Sequence, residues 1–137
     1  MTDPIASQML QNNFDGVIGL EVLDADGDRV TARLDVKPHL HQPYGIVHGG
    51  VYCTVVETTA SIGAALWFGD RGQVVGVSNS TNFLRAVRDG SLDIEATPVH
   101  RGRTQQLWQV TVADADGRLI ARGEVRLANI SPQQIGG

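Results

Sequence analysis

The chain has 137 residues, a formal net charge of −4, one cysteine, and 42% hydrophobic against 19% charged residues. That length suits a single domain, since chains divide only beyond about 250 residues, and this apolar share excludes a disordered chain. The mild acidity argues against broad nucleic-acid binding, and the lone Cys53 excludes an internal disulfide and fits a reducing cytoplasm. The N-terminal MTDPIASQMLQNN lacks the basic-then-apolar order of a signal peptide. No apolar run approaches the ~20 residues of a membrane-spanning helix, so no membrane partner is expected.

In chain order, residues 1–15 read as an N-terminal helical segment, centred on the weakly periodic stretch 4–13. Val17, Ile18, Leu20, Val22 and Leu23, the turn composition of 24–28, and the alternating Val30, Ala32, Leu34 and Val36 together predict a β-hairpin. Two prolines and three glycines make 38–50 a loop. Residues 51–68 lack proline and are apolar on most sides, which predicts a helix wrapped by the rest of the protein and closed by Gly69. Strands follow over 73–87, 91–100, 104–113 and 118–130, with hairpin-type connections at 88–90, 101–103 and 114–117. Residues 131–137 read as a flexible tail.

This order predicts an α+β fold of one domain over 1–137, an antiparallel β-sheet wrapped around a long central helix. The sheet face turned away from the helix is expected to need cover, which points to dimers or tetramers.

Thr54, Glu57, Thr58 and Ser61 form a polar stripe on the otherwise apolar helix, because residues three and four apart share a face. Glu57 has two readings. It pairs with an arginine or faces solvent, or it is a catalytic carboxylate beside hydroxyls that hold a water. His48-Gly49-Gly50 opens the helix where the first N–H groups lack intrahelical partners. Glycines there serve either loop flexibility or the close approach of a developing oxyanion. Gly50 and Glu57 are seven residues apart, about 10 Å along a helix, whereas a base and oxyanion donors both need to lie about 3 Å from one reacting atom. If both are catalytic, the site forms between two antiparallel helices of a dimer.

The stretch HQPYGIVHGGVYCTVVETTAS resembles the signature of hotdog-fold acyl-CoA thioesterases, in the PaaI-like and 4-hydroxybenzoyl-CoA thioesterase branch. GVSNSTNFLRAV and HRGRTQQLWQVTVADADGRLIARGEVRLAN are similar to the family's later strands. The resemblance implies hydrolysis of an acyl-CoA to a carboxylic acid and coenzyme A, with no cofactor beyond the coenzyme A of the substrate. It implies Glu57 as nucleophile or general base, Gly49 or Gly50 as the oxyanion contact, and Gln42 as the group orienting the thioester. It places His48 beside the carbonyl, Ser61 at the attacking water, and Ser78 as a strand hydroxyl near the site. Arg101, Gly102 and Arg103 resemble a turn that contacts coenzyme A, and a homotetramer built from dimers is the implied assembly. The alternative is the same dimer binding acyl-CoA without turnover.

Expelling a thiolate needs less assistance than expelling an alkoxide, so the absence of a Ser-His-Asp arrangement is no obstacle. Cys53 reads as an inert buried thiol rather than a nucleophile. His39, His41 and His48 match no tight metal spacing, so no metal is expected. Arg85, Arg88, Arg101 and Arg103 are either solvated strand ends or a group for the coenzyme A phosphates. Trp67, Phe68 and Phe83 are the bulky candidates for an acyl pocket, and the acyl group itself stays open between aryl and medium-chain.

Overall fold

The computed structural model describes residues 12–135. Helix α1 (Phe14–Ile18) leads into strands β1 (Glu21–Ala25) and β2 (Val30–Asp35). After a 3-10 turn (Pro38–Leu40) comes the 20-residue helix α2 (Gly49–Phe68), then β3 (Gln73–Phe83), β4 (Ser91–Arg101), β5 (Gln105–Asp114), β6 (Leu119–Ile130) and the short α3 (Pro132–Ile135). The six strands form one antiparallel sheet in the order β1-β2-β4-β5-β6-β3, and α2 packs against it.

The expected layout holds, with local corrections. The helical stretch expected at 4–13 falls mostly outside the described residues. Val17 and Ile18 are helical rather than extended: Asn13 caps α1 through its side chain, and Gly19 ends it with φ +88°. The connection at 88–90 is not a hairpin. β3 crosses to the far edge and pairs with β6, while β4 pairs with β2. β3 also stops at Phe83 rather than 87, where the Leu84 and Arg85 amides converge on the Ile120 carbonyl and the chain leaves the ladder. Residues 132–135 of the expected tail are helical.

One residue row of the outer face is polar throughout. Thr31, Glu95, Thr111, Arg122 and Asn82 lie side by side across five strands, all polar, with Arg33 and Asp93 paired in the next row. One inner row is small and apolar, with Val30, Ala96, Val110 and Gly123 adjacent.

Against these rows α2 buries Val51, Tyr52, Val55, Val56, Ala60 and Ala64. Gly63 admits the closest approach. A Cβ there would lie 2.5 Å from the ring of Trp108, which is fully buried. The Trp108 indole donates to Gln106 Oε1 (2.8 Å), and Gln106 Nε2 donates to Asn129 Oδ1 (2.9 Å) and to the Ala64 carbonyl (3.2 Å). Asn129 in turn donates to the Gly102 carbonyl (2.9 Å). This buried polar chain has each of its donors partnered, as a low-dielectric interior requires, and it ties α2 to the β4–β5 turn.

The expectation that no segment is long and apolar enough to cross a membrane needs correcting. Gly49–Arg71, 23 residues, qualifies on length and composition. Its apolarity has a local cause, since half of its most apolar stretch is buried inside this fold.

Candidate active site

Three cavities lie along α2, and Glu57, Gln42, Gly49, His48 and Gly50 divide among them. Glu57 is exposed on the single chain and lines a cavity of about 320 Å³ with Asp15, Cys53, Thr54, Thr58 and Asn79. Asn79 Nδ2 donates to the Cys53 carbonyl (2.9 Å) and to Glu57 Oε1 (3.4 Å), and Thr81 donates to Asn79 Oδ1 (2.7 Å). Of the polar stripe, Thr54 donates to the Gly50 carbonyl (2.8 Å) and Thr58 to Asp15 Oδ1 (2.6 Å). Ser61 follows one turn after Glu57, half-buried and outside this cavity.

Asn79, not Ser78, is the strand residue at the carboxylate. A β-bulge between Gly76 and Ser78 shifts the alternation, so Gly76 lies under Glu57 and Asn79 and Thr81 face the helix. Ser78 then points outward beside Arg126. Simple period-2 counting puts residues 76 and 78 on the same face, and a bulge reverses that parity. The signals were glycine in a strand interior and asparagine, which strands disfavour.

At the helix start, His48 is the N-cap: its Nδ1 accepts from the Gly50 N–H (2.8 Å). That bond engages the Gly50 amide and leaves the imidazole proton on Nε2 in the neutral ring. The Gly49 N–H has no acceptor among the described residues. Gly49 lines a second cavity of about 310 Å³ with Gln42, Tyr52, Phe83 and Arg85. Gln42 Oε1 accepts from the Tyr44 N–H, so its amide nitrogen is the end left to donate. The Gln42 backbone is pinned on both sides of the same turn, its N–H donating to Ile46 and its carbonyl accepting from Gly45.

His48 and Gly50 line a third cavity, with His39 and His41. His39 Nε2 meets the Val17 carbonyl (3.0 Å) and His41 Nε2 the Arg88 carbonyl (2.7 Å), so these two rings brace loops.

The four arginines do not form one group. Arg88 donates to the Tyr44 and Gly45 carbonyls near the start of α2. Arg101 lies at the other end, bonded to the Gly27 carbonyl (2.6 Å), paired with Asp28 (2.8 Å) and stacked on Trp67. Those ends are about 27 Å apart along the helix. Arg101 thus braces the β1–β2 turn, while Arg103 is exposed. Of the bulky pocket candidates, Phe83 lines the Gly49 cavity, whereas Trp67 sits between Arg71 and Arg101 and Phe68 is core.

A six-stranded antiparallel sheet packed on one long helix defines the hotdog fold. The model of the Thioesterase superfamily matches residues 44–121, and the chain belongs to that superfamily as a thioester hydrolase.

The chain is similar to AziG of S. sahachiroi, whose crystal structure superposes with a TM-score of 0.86 at 51% identity, over 88% of this chain and 98% of that one. The crystal structure of thioesterase HI1161 of Haemophilus influenzae superposes with a TM-score of 0.87 at 30% identity, over 91% and 87%. A 1,4-dihydroxy-2-naphthoyl-CoA hydrolase of Listeria monocytogenes is 30% identical, over 81% of this chain and 90% of its own.

Proposed function

We propose that the protein hydrolyses an acyl-CoA at a site shared by two copies, with Glu57 of one facing the Gly49 end of the other. The observation that carries this reading is the separation within one chain. Glu57 and Gly49 line different cavities, and eight residues of helix between them amount to about 12 Å. Two further features favour a second copy. β3 is one of the two edge strands of the sheet, with Val75 and Val77 about half exposed on it, and Glu57 is held by Asn79 of that same strand. Antiparallel pairing of two β3 edges about a twofold axis would set the two α2 helices side by side and antiparallel.

In this site the Gly49 N–H and the Gln42 amide polarise the thioester carbonyl, aided by the positive end of α2. The Glu57 carboxylate takes a proton from the attacking water, or itself adds to the carbonyl carbon to form a mixed anhydride that water then hydrolyses, releasing the acid and restoring the carboxylate. Either way the C–S bond breaks, its electron pair leaves on sulfur, and the thiolate is protonated. Ser61 positions the water, and His48 fixes the helix start through its bond to Gly50. Arg103 is the exposed basic group of the 101–103 turn available to a phosphate of coenzyme A, with Arg101 and Gly102 holding the turn.

The test is thiol release from a panel of aryl- and alkanoyl-CoA substrates. Glu57→Gln is expected to lower kcat/KM by about 10²- to 10⁴-fold. Turnover surviving that substitution, or no thiol release from any substrate, overturns the proposal.

A further inference from the structure

Gln42 serves a thioester only if its amide nitrogen, rather than its oxygen, faces the substrate, and the turn around it decides which end that is. Oε1 is engaged by the Tyr44 N–H, so the orientation of the side chain follows the backbone at residue 44. That backbone is gripped from far along the chain. Arg88 Nη1 donates to the Tyr44 carbonyl (3.2 Å) and to the Gly45 carbonyl (3.4 Å). Gly45 turns the chain with φ +80°, and a Cβ there would fall 3.2 Å from the same nitrogen.

On either side, the backbone of residues 87 and 88 holds the base of the same turn. His41 Nε2–H donates to the Arg88 carbonyl (2.7 Å), and the Val47 N–H donates to the Val87 carbonyl (2.9 Å). The guanidinium alone reaches the tip, at the residue whose N–H holds Gln42 Oε1. A phosphate of coenzyme A would be another use for Arg88, and its surroundings argue against it. The cavity of about 370 Å³ on which it borders carries Arg85, Arg88 and Arg118 against Asp89, Asp114 and Asp116. A lining with as many carboxylates as guanidinium groups offers a phosphate little net attraction.

We propose that Arg88 is a positioning residue for thioester hydrolysis: by holding the tip of the 41–47 turn, it keeps the Gln42 nitrogen aimed at the thioester carbonyl. This rests on the reading that has Gln42 polarise that carbonyl. Without the guanidinium the turn stays attached at residues 41 and 47, but its tip is free to rotate. An amide oxygen turned to the thioester repels the negative charge that develops there, and a displacement of about 1 Å can cost about 100-fold in rate.

The experiment measures kcat and KM for the wild type, Arg88→Ala, Gln42→Ala and the double variant. The substrates are the acyl-CoA of the panel hydrolysed fastest and the same acyl group on pantetheine, which carries no phosphate. Arg88→Ala is expected to lower kcat by about 10- to 100-fold on both, with KM within about threefold of wild type. In the Gln42→Ala background the same change is expected to lower kcat by less than about twofold, because the group it positions is gone. A raised KM confined to the coenzyme A ester would make Arg88 a phosphate contact and overturn the proposal. An equal loss of kcat in both backgrounds, or no loss in Arg88→Ala, would overturn it too.

Folding is read separately by melting. Arg88 is exposed, so Arg88→Ala should melt within about 3 °C of the wild type. A fall of more than about 10 °C would make Arg88 a residue of the fold and would also overturn the proposal. Gln42→Ala separates the two readings. If it keeps full kcat, the role of Gln42 fails and that of Arg88 with it. If it loses kcat while Arg88→Ala does not, only the Arg88 assignment fails.

Discussion

Mixing two inactive variants tests the shared site directly. Glu57 and Gln42 line separate cavities of one chain, and the helix separates Glu57 from Gly49 by about four times the reach of a catalytic contact. Each site of a dimer would therefore take Glu57 from one copy and Gln42 from the other. Glu57→Ala and Gln42→Ala should each lose about 10²-fold or more as homodimers. When equal amounts are unfolded together and refolded, about half of the pairs are mixed, and in each mixed pair one site carries both defects while the other carries none. The mixture should regain about one quarter of wild-type thiol release, and this holds whether or not dimers associate further. A mixture no more active than its parents would refute the shared geometry and return both groups to one chain. A fully active monomer at high dilution would do the same.

Two other predictions concern the core. Gly63→Ala should destabilise the fold by about 2–3 kcal/mol and lower the melting temperature by about 10 °C, because its methyl would overlap a Trp108 ring held by Gln106. Helix propensity alone predicts the opposite sign, so a neutral or raised melting temperature would refute the packing argument. The second concerns alkaline pH. The Tyr52 phenol is raised from 10.0 to about 12 in the folded protein, so the unfolded chain loses this proton first. Stability is intact below pH 10 and should fall by at most about 2 kcal/mol as pH rises towards 12. Urea midpoints at pH 8 and 11 should show that fall in the wild type and a smaller one in Tyr52→Phe. The other tyrosine, Tyr44, is 83% exposed and common to both. Equal slopes would refute it.

Local pattern and spacing carried much of this protein. The apolar run ending in glycine marked α2, turn residues marked the hairpins on either side of β5, and the lone glutamate stood out against the helix around it. These features are decided by residues a few positions apart, so they can be read along the chain.

What depended on distant residues could not be read that way. The partner of β3 was settled by a crossover, and the bulge at 76–78 exchanged Ser78 for Asn79 because one extra residue reverses the face of everything after it. The two ends of α2 divided the arginines, and the His48 bond to Gly50 left Gly49 as the amide without an acceptor. Tyr52 looked like one more apolar helix residue. Only packing shows that its ring is buried while its hydroxyl has no partner among the described residues, because burial is a property of the closed fold and not of the residue.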